Sequence, residues 1–425
     1  METIVKNKKT YKIHFIKTKD FKNIEIRVSF RNEIKKEEIT IRNFLLSMLT
    51  FSTKTYPSKR DLTIRCQELY GTNVGAGSIR IGREEISYFV LTALREKYTE
   101  KGNIKACIEL LGDIIFNPNV EKLKFDKESF SIVKDNIETE IKSFKENTSS
   151  YSMARLFENM DENMPYAYRT VGYLEDLEKI NEENLYTYYK KFIRDNLVDI
   201  YVIGDVDTDK VEEVIEENFK FYKLNNEINP YLEEPTMSRK IKTIKEKEDI
   251  SQSKLAIACK YKELNDFDLK YTLTLYNIIL GVSTDSKLFR IVREKHSLAY
   301  YVYSRTSKSD HLLLISSGIE ASNFNQTVQL IKDLMKDMEK GNFTTKDMEK
   351  AITFFIASLE QLEDNQYQIL QNYVSMQMLG LDSIEERKKK IREVTKEDIM
   401  RVAKCIKMDT IYLLEGKANV KEDWF

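Results

Sequence analysis

Two stretches of this chain, far apart in sequence, end in the same way. LEKINEENLYTYYKKFIRDNLVDIYVIGDV closes the first half and IREVTKEDIMRVAKCIKMDTIYLLEGKA closes the second. In each, an N-cap residue, Asn181 or Thr395, is followed by acidic residues suited to the first turn of a helix. Each helix pattern then leads into a short apolar strand, Ile200 to Ile203 or Ile411 to Leu414, and a single glycine, Gly204 or Gly416. The beginnings correspond too, because NIEIRVSF and SKLAIACK both alternate as strands do before a helical pattern. Chance likeness between two Lys/Glu-rich helices is the competing reading.

Length agrees with duplication. A single core stops growing at roughly 250 to 300 residues, and this chain has 425. Of only five prolines, Pro230 and Pro235 fall together in NNEINPYLEEPTMSRK, a polar stretch without periodicity. The expected organisation is a first domain over 1–222, a linker over 223–245 and a second domain over 246–425. Within each half, alternating segments such as Ile86 to Leu91 and Leu312 to Ser316 read as strands. Phe130, Val133, Ile137, Ile141 and Phe144 follow helical spacing. The expected fold class is α+β, with two homologous halves, each a mostly antiparallel sheet with helices packed on one face.

Lys plus Arg (68) and Asp plus Glu (69) nearly cancel, so no global charge steers the chain to nucleic acid or an anionic membrane. The N-terminus, METIVKNKKTYKIHF, resembles neither a signal nor a transit peptide, and no apolar run is long enough to span a bilayer. Cys66, Cys107, Cys259 and Cys405 lie far apart and read as free thiols, giving an expected cytoplasmic location. The three histidines, His14, His296 and His311, have no i, i+3 or i, i+4 partner.

The segment IRNFLLSMLTFSTKTYP resembles the H-F-L-E-H-M-L-F-x-G-T-x-x-Y-P signature of the pitrilysin/insulinase metallopeptidases. Phe44, Leu45, Met48, Leu49, Thr53, Tyr56 and Pro57 match in register. The chemical positions do not. Asn43 and Ser47 stand where the family has its two zinc-binding histidines, and Leu46 where it has the general-base glutamate. Zinc needs imidazole, thiolate or carboxylate donors at about 2.0 to 2.3 Å; Asn and Ser are weak neutral donors, and Leu46 cannot activate water. The family's third zinc ligand, a helical Glu, maps onto Glu140 in VKDNIETEIKSF. Its spacing from Val133 and Ile137 predicts an inward carboxylate, hydrogen-bonded to Asn43 or Ser47; a residual metal ligand is the other reading.

GVSTDSKLFRIVREKHSLAYYVYSRTS is similar to the L-F-x-x-[LV]-R-E-x-x-[GS]-L-[AG]-Y-x-V segment of the family's second halves. The resemblance assigns substrate binding to Arg293 and Tyr300. Ser283 or Thr284 is expected to cap a helix carrying Arg293, with Tyr300 and Val302 on one face of the following strand. A local packing role for an ordinary helix-end Arg and strand Tyr is the alternative. The strand-like GAGSIRIGREEISYFV, an edge that serves the zinc-bearing half in the family, reads here as plain sheet.

Zinc motif lost and Arg/Tyr kept is the pattern of one subunit of the bacterial two-chain members, in which clam-like subunits enclose a peptide. In texture the chain is similar to the Firmicute-type subfamily associated with elongation factor P modification. The resemblance implies a non-catalytic, substrate-binding subunit of a heteromeric zinc endopeptidase. It implies no cofactor in this chain, zinc in a homologous partner, and a heterodimer. A structural or regulatory protein of the same fold is the alternative.

Overall fold

The computed structural model describes residues 2–222, 227–238 and 240–417; residues 223–226 and 239 of the expected linker lie outside the described residues. The chain forms two compact units, Met1–Ser143 with Arg169–Pro230 and Phe144–Tyr168 with Tyr231–Phe425. The first unit opens with strands β1 (Glu2–Asn7), β2 (Lys12–Lys17) and β3 (Asn23–Glu33), then helices α1 (Ile39–Leu49) and α2 (Lys59–Glu68). The hairpin β4 (Asn73–Ile81) and β5 (Glu84–Leu94) leads to α3 (Asn103–Phe116), the short pair β6 (Val120–Glu121) and β7 (Lys124–Phe125), and α4 (Lys127–Ser143). Helix α5 (Thr148–Met160) belongs to the second unit. The first then resumes with α6 (Leu174–Leu177), α7 (Glu182–Asp195), β8 (Leu197–Gly204) and α8 (Thr208–Asn218). Its sheet has the order β1-β2-β8-β3-β5-β4 and is antiparallel except at β2–β8.

The second unit begins its sheet with β9 (Lys242–Lys247) and β10 (Ser253–Tyr261). Helix α9 (Leu273–Asn277) follows, continuous with π-wound turns at Asp268–Thr272 and Ile278–Val282, and then a π-wound helix at Leu288–Lys295. Strands β11 (Ala299–Ser307) and β12 (Leu312–Ile319) precede α10 (Phe324–Lys340), α11 (Thr345–Gln361), α12 (Gln366–Leu379), α13 (Ile384–Lys390), α14 (Lys396–Cys405) and β13 (Ile406–Glu415). The strand order is β11-β12-β10-β13-β9. This is β4-β5-β3-β8-β2 over again, including the one parallel pair, β13–β9. Five of the first sheet's six strands share order and polarity with the five of the second, so the likeness of the halves extends well beyond two helices. The two closing helices also start alike, with reciprocal capping boxes between Asn181 and Asn184 and between Thr395 and Asp398.

Alternation explains the first core. Ile24, Ile26, Val28 and Phe30 of β3 face α1, α3 and α4, where Phe44, Leu45, Leu111, Val133 and Ile137 are buried with them. Each fully buried side chain of this size stabilises by about 1.5–3 kcal/mol. The intervening residues of β3 are buried as well, so their charges are paired. Arg27 binds Glu25 at 3.0 Å, and Arg31 binds both Glu84 and Asp199 at 2.7 Å. His14 meets the same Asp199 at 3.0 Å.

In the second unit Ile257, Leu313, Ile315 and Ile411 pack beneath α10 and α14. To the expected architecture the structure adds a helix on this sheet's other face. There Ala256, Ala258, Leu312, Leu314, Tyr412 and Leu414 pack against Tyr151 and Leu156 of α5. Arg155 of the same helix forks onto Glu246 of β9. The unit division falls between Pro230 and Tyr231, and segment 144–168 joins the second unit. Cys66, Cys107, Cys259 and Cys405 are free. Among the described residues no helix is long and apolar enough to cross a membrane.

Candidate functional site

The degenerate motif lies on α1. Phe44, Leu45, Leu46, Met48 and Leu49 are buried, while Asn43 is half-buried and Ser47 exposed, one turn apart on the helix's outer side. Leu46 is therefore a core residue, not merely a missing base. The Asn43 amide donates to the Thr170 carbonyl at 2.7 Å, tying α1 to the loop before α6. Helix α4 packs alongside through the rings of Phe44 and Phe130, tilted by 33° with centroids 4.7 Å apart.

Glu140 corrects the sequence expectation. It is exposed, and its carboxylate hydrogen-bonds neither Asn43 nor Ser47. The apolar stripe of α4 is buried at Phe130, Val133 and Ile137 but only half-buried at Ile141. The last turn thus runs past the core that would have covered a carboxylate. Among the described residues no group of three or more His, Cys, Asp or Glu side chains is placed to hold a metal ion.

Arg293 and Tyr300 sit on neighbouring elements, the π-wound helix Leu288–Lys295 and the start of β11. The turn between them is built by Ser297 in the left-handed conformation (φ 52°). Around it Ser297 N donates to Arg293 O at 3.1 Å and Leu298 N to Val292 O at 3.0 Å, closing the helix as glycine commonly does. Capping differs from expectation. Neither Ser283 nor Thr284 caps this helix; the Ser286 hydroxyl accepts from Phe289 N at 3.4 Å, because the chain turns again at Ser283–Ser286 before winding.

Both side chains face outward. Arg293 is exposed, forms no ion pair among the described residues, and rests its guanidinium 4.7 Å over the Phe289 ring. Tyr300 is 53% exposed and donates to Glu320 Oε1 at 3.2 Å. That hydrogen bond, with the carboxylate charge, raises the phenol above its ordinary value and keeps it a donor at neutral pH. Neither residue hydrogen-bonds the other. Arg293 thus presents a planar cation with no ion pair among the described residues, while the one phenol hydrogen of Tyr300 is held by Glu320.

The profile described as "Peptidase M16 inactive domain" matches residues 179–355. The chain is 30% identical over 409 residues to the Probable inactive metalloprotease YmfF of Bacillus subtilis (strain 168), covering 95% of each chain. It belongs to the M16 peptidase family. The Uncharacterized zinc protease YmxG of the same organism is 26% identical over 246 residues, covering 57% of this chain and 58% of its own. In structure the chain resembles a conserved protein from Enterococcus faecalis V583, with a TM-score of 0.89, 25% identity, and 98% and 99% of the two chains covered. The relative named an inactive metalloprotease covers 95% of the chain, whereas the family profile, residues 179–355, takes in the Arg293 and Tyr300 window but not that of Asn43, Leu46 and Ser47.

Several residues around the M16 Arg/Tyr segment escape pattern reading. Gly281 is one, because a Cβ there would lie 2.4 Å from Ser304 Oγ and 2.6 Å from Leu288 Cδ1. Its absence lets the helical layer close onto β11, where Ser304 donates to Asn277 Oδ1 at 2.6 Å in the interior. Glu320, the partner of Tyr300, lies just past the end of β12. A lone glycine between two helical patterns was the available signal for the first; nothing in the sequence marked the second.

Proposed function

We propose that this M16 chain is a non-catalytic, substrate-binding subunit that works with a homologous zinc-bearing subunit and presents Arg293 and Tyr300 to the peptide. The observation that carries this reading is the contrast between the two windows. Where the family binds zinc, the side chains are an amide, a core leucine and a hydroxyl. Where it binds substrate, the Arg and Tyr are present, exposed and poised on a turn that needs a left-handed residue. The relatives support it. A single organism, Bacillus subtilis, carries both a similar chain named an inactive metalloprotease and one named a zinc protease.

As donors aimed at a developing oxyanion, the two side chains act mainly in the transition state. Each good donor of this kind contributes about 2.7–4 kcal/mol, a factor of about 10² to 10³ in kcat. The test is co-expression with an M16 chain carrying H-x-x-E-H, confirmation of the complex by size exclusion, and peptide-cleavage kinetics. Arg293→Ala should lower kcat and kcat/KM together by about 10²-fold while assembly is intact. Arg293→Lys, which keeps charge but loses the planar fork, should also be impaired. A rise in KM alone would limit the pair to ground-state binding. Complexes of Arg293→Ala and Tyr300→Phe that assemble and cleave at the wild-type rate would replace this reading with the structural or regulatory one.

A further inference from the structure

The π-wound helix Leu288–Lys295 carries two arginines, and they are held in opposite ways. Arg290 Nη2 lies 3.3 Å from Asp347 Oδ1 of α11, so a carboxylate takes one of its donors and offsets its charge. Arg293 has neither an ion pair nor a side-chain hydrogen bond among the described residues, and its guanidinium lies 4.7 Å over the Phe289 ring. An aromatic face attracts a guanidinium through the ring quadrupole, which consumes no N–H and leaves the cation unneutralised.

The ring is itself anchored. Phe289 N donates to the Ser286 hydroxyl at 3.4 Å, Ser286 is buried, and the adjoining Leu288 is fully buried where the layer closes at Gly281. Leu288 and Val292 point into the core, whereas half-buried Phe289 and exposed Arg293, at the same spacing, meet on the adjoining face. The winding that sets this face includes a bond from His296 N to Ile291 O at 3.1 Å. Such i→i+5 winding is rare and recurs at functional positions.

We propose that Phe289 is a positioning residue for Arg293. It fixes the plane of the guanidinium and leaves the N–H donors and the charge free for a peptide carbonyl that approaches edge-on. An exposed arginine would otherwise be ordered only when the peptide arrives, at a cost to binding that the stack removes beforehand. Tyr300 differs, because Glu320 holds its one hydrogen until substrate competes for it. The role in cleavage rests on the substrate-binding reading of Arg293; the stack is a property of the free chain.

Two measurements separate them. In NMR spectra of the full chain, the Arg293 side-chain resonances, assigned by comparison with Arg293→Lys, should be displaced upfield by the ring current of Phe289. Phe289→Leu keeps the apolar bulk and should abolish the displacement, while Phe289→Tyr and Phe289→Trp should keep it. Identical Arg293 resonances in wild type and Phe289→Leu would overturn the proposal. In the complex with an H-x-x-E-H chain, Phe289→Leu should lower kcat/KM by about two- to fivefold while assembly and melting temperature are unchanged, and Phe289→Tyr should cleave like wild type. In an Arg293→Ala background Phe289→Leu should have no further effect, since the ring then has no cation to orient. Where Arg293→Ala slows cleavage but Phe289→Leu does not, or where Phe289→Leu costs the same factor with and without Arg293, the positioning role is wrong and the substrate-binding reading stands. Cleavage unaffected by Arg293→Ala sinks the substrate-binding reading, and with it the purpose assigned to the stack. Should Phe289→Leu fail to fold, Phe289→Met takes its place.

Discussion

At the scale of single residues, Tyr300 and Glu320 form the pair whose state is most directly measurable. Glu320 accepts a hydrogen bond from the phenol and places a negative charge beside it, both of which disfavour the phenolate. Glu320→Gln should therefore lower the Tyr300 pKa toward its ordinary value, seen in the ultraviolet titration difference between Glu320→Gln and the double variant with Tyr300→Phe. An unchanged titration would mean that Glu320 does not set this group. In the first unit, Asn43 and Ser47 share the outer side of α1, so Asn43→His with Ser47→His should gain zinc affinity by calorimetry at little cost in stability. Adding Leu46→Glu is different. Leu46 is 3% exposed, so a carboxylate there should cost about 3 kcal/mol or more in urea unfolding without metal. A histidine pair that gains nothing would count against the register of the motif.

Among elements, the helix carrying Arg293 depends on how closely the helical layer approaches β11. Gly281 (φ −159°, ψ 15°) lies outside the left-handed region that favours glycine, and a Cβ there would collide with Ser304 and Leu288, so space demands glycine. Gly281→Ala must push against Leu288, Ser304 Oγ and the Ser304 backbone, which should cost about 1–3 kcal/mol. Because Leu288 opens the Arg293 helix, the same change should also impair the reconstituted peptidase. A Gly281→Ala chain as stable as wild type would show that the layer can shift freely. The strands and the two capped helices were legible in the sequence because alternation and capping are local. The capping of the Leu288–Lys295 helix was not, since Ser283, Thr284 and Ser286 are all competent and the turn geometry chooses among them.

For the whole molecule, the main departure from linear order is segment 144–168. Helix α5 lies in the first half of the chain, yet its Leu156 is 0% exposed in the core of the second unit. Leu156→Ala should cost about 2–5 kcal/mol. Hydrogen exchange should place the loss in β10, β12 and β13, while β3 and β5 stay protected. Faster exchange confined to the first sheet would refute this membership.

The sequence by itself determined the duplicated α+β plan, the identity of the strands and the likeness to the M16 family, because periodicity, caps and motif spacing act over a few residues. It also places Asn43, Leu46 and Ser47, side chains with no strong ligand among them, in the segment that resembles the family's zinc motif. Only the tertiary structure decided that Glu140 is exposed, that α5 covers the second sheet, and that Glu320 meets Tyr300. Each of these depends on which surfaces distant segments cover, and burial is set by the partner element, which helical arithmetic along one element does not contain.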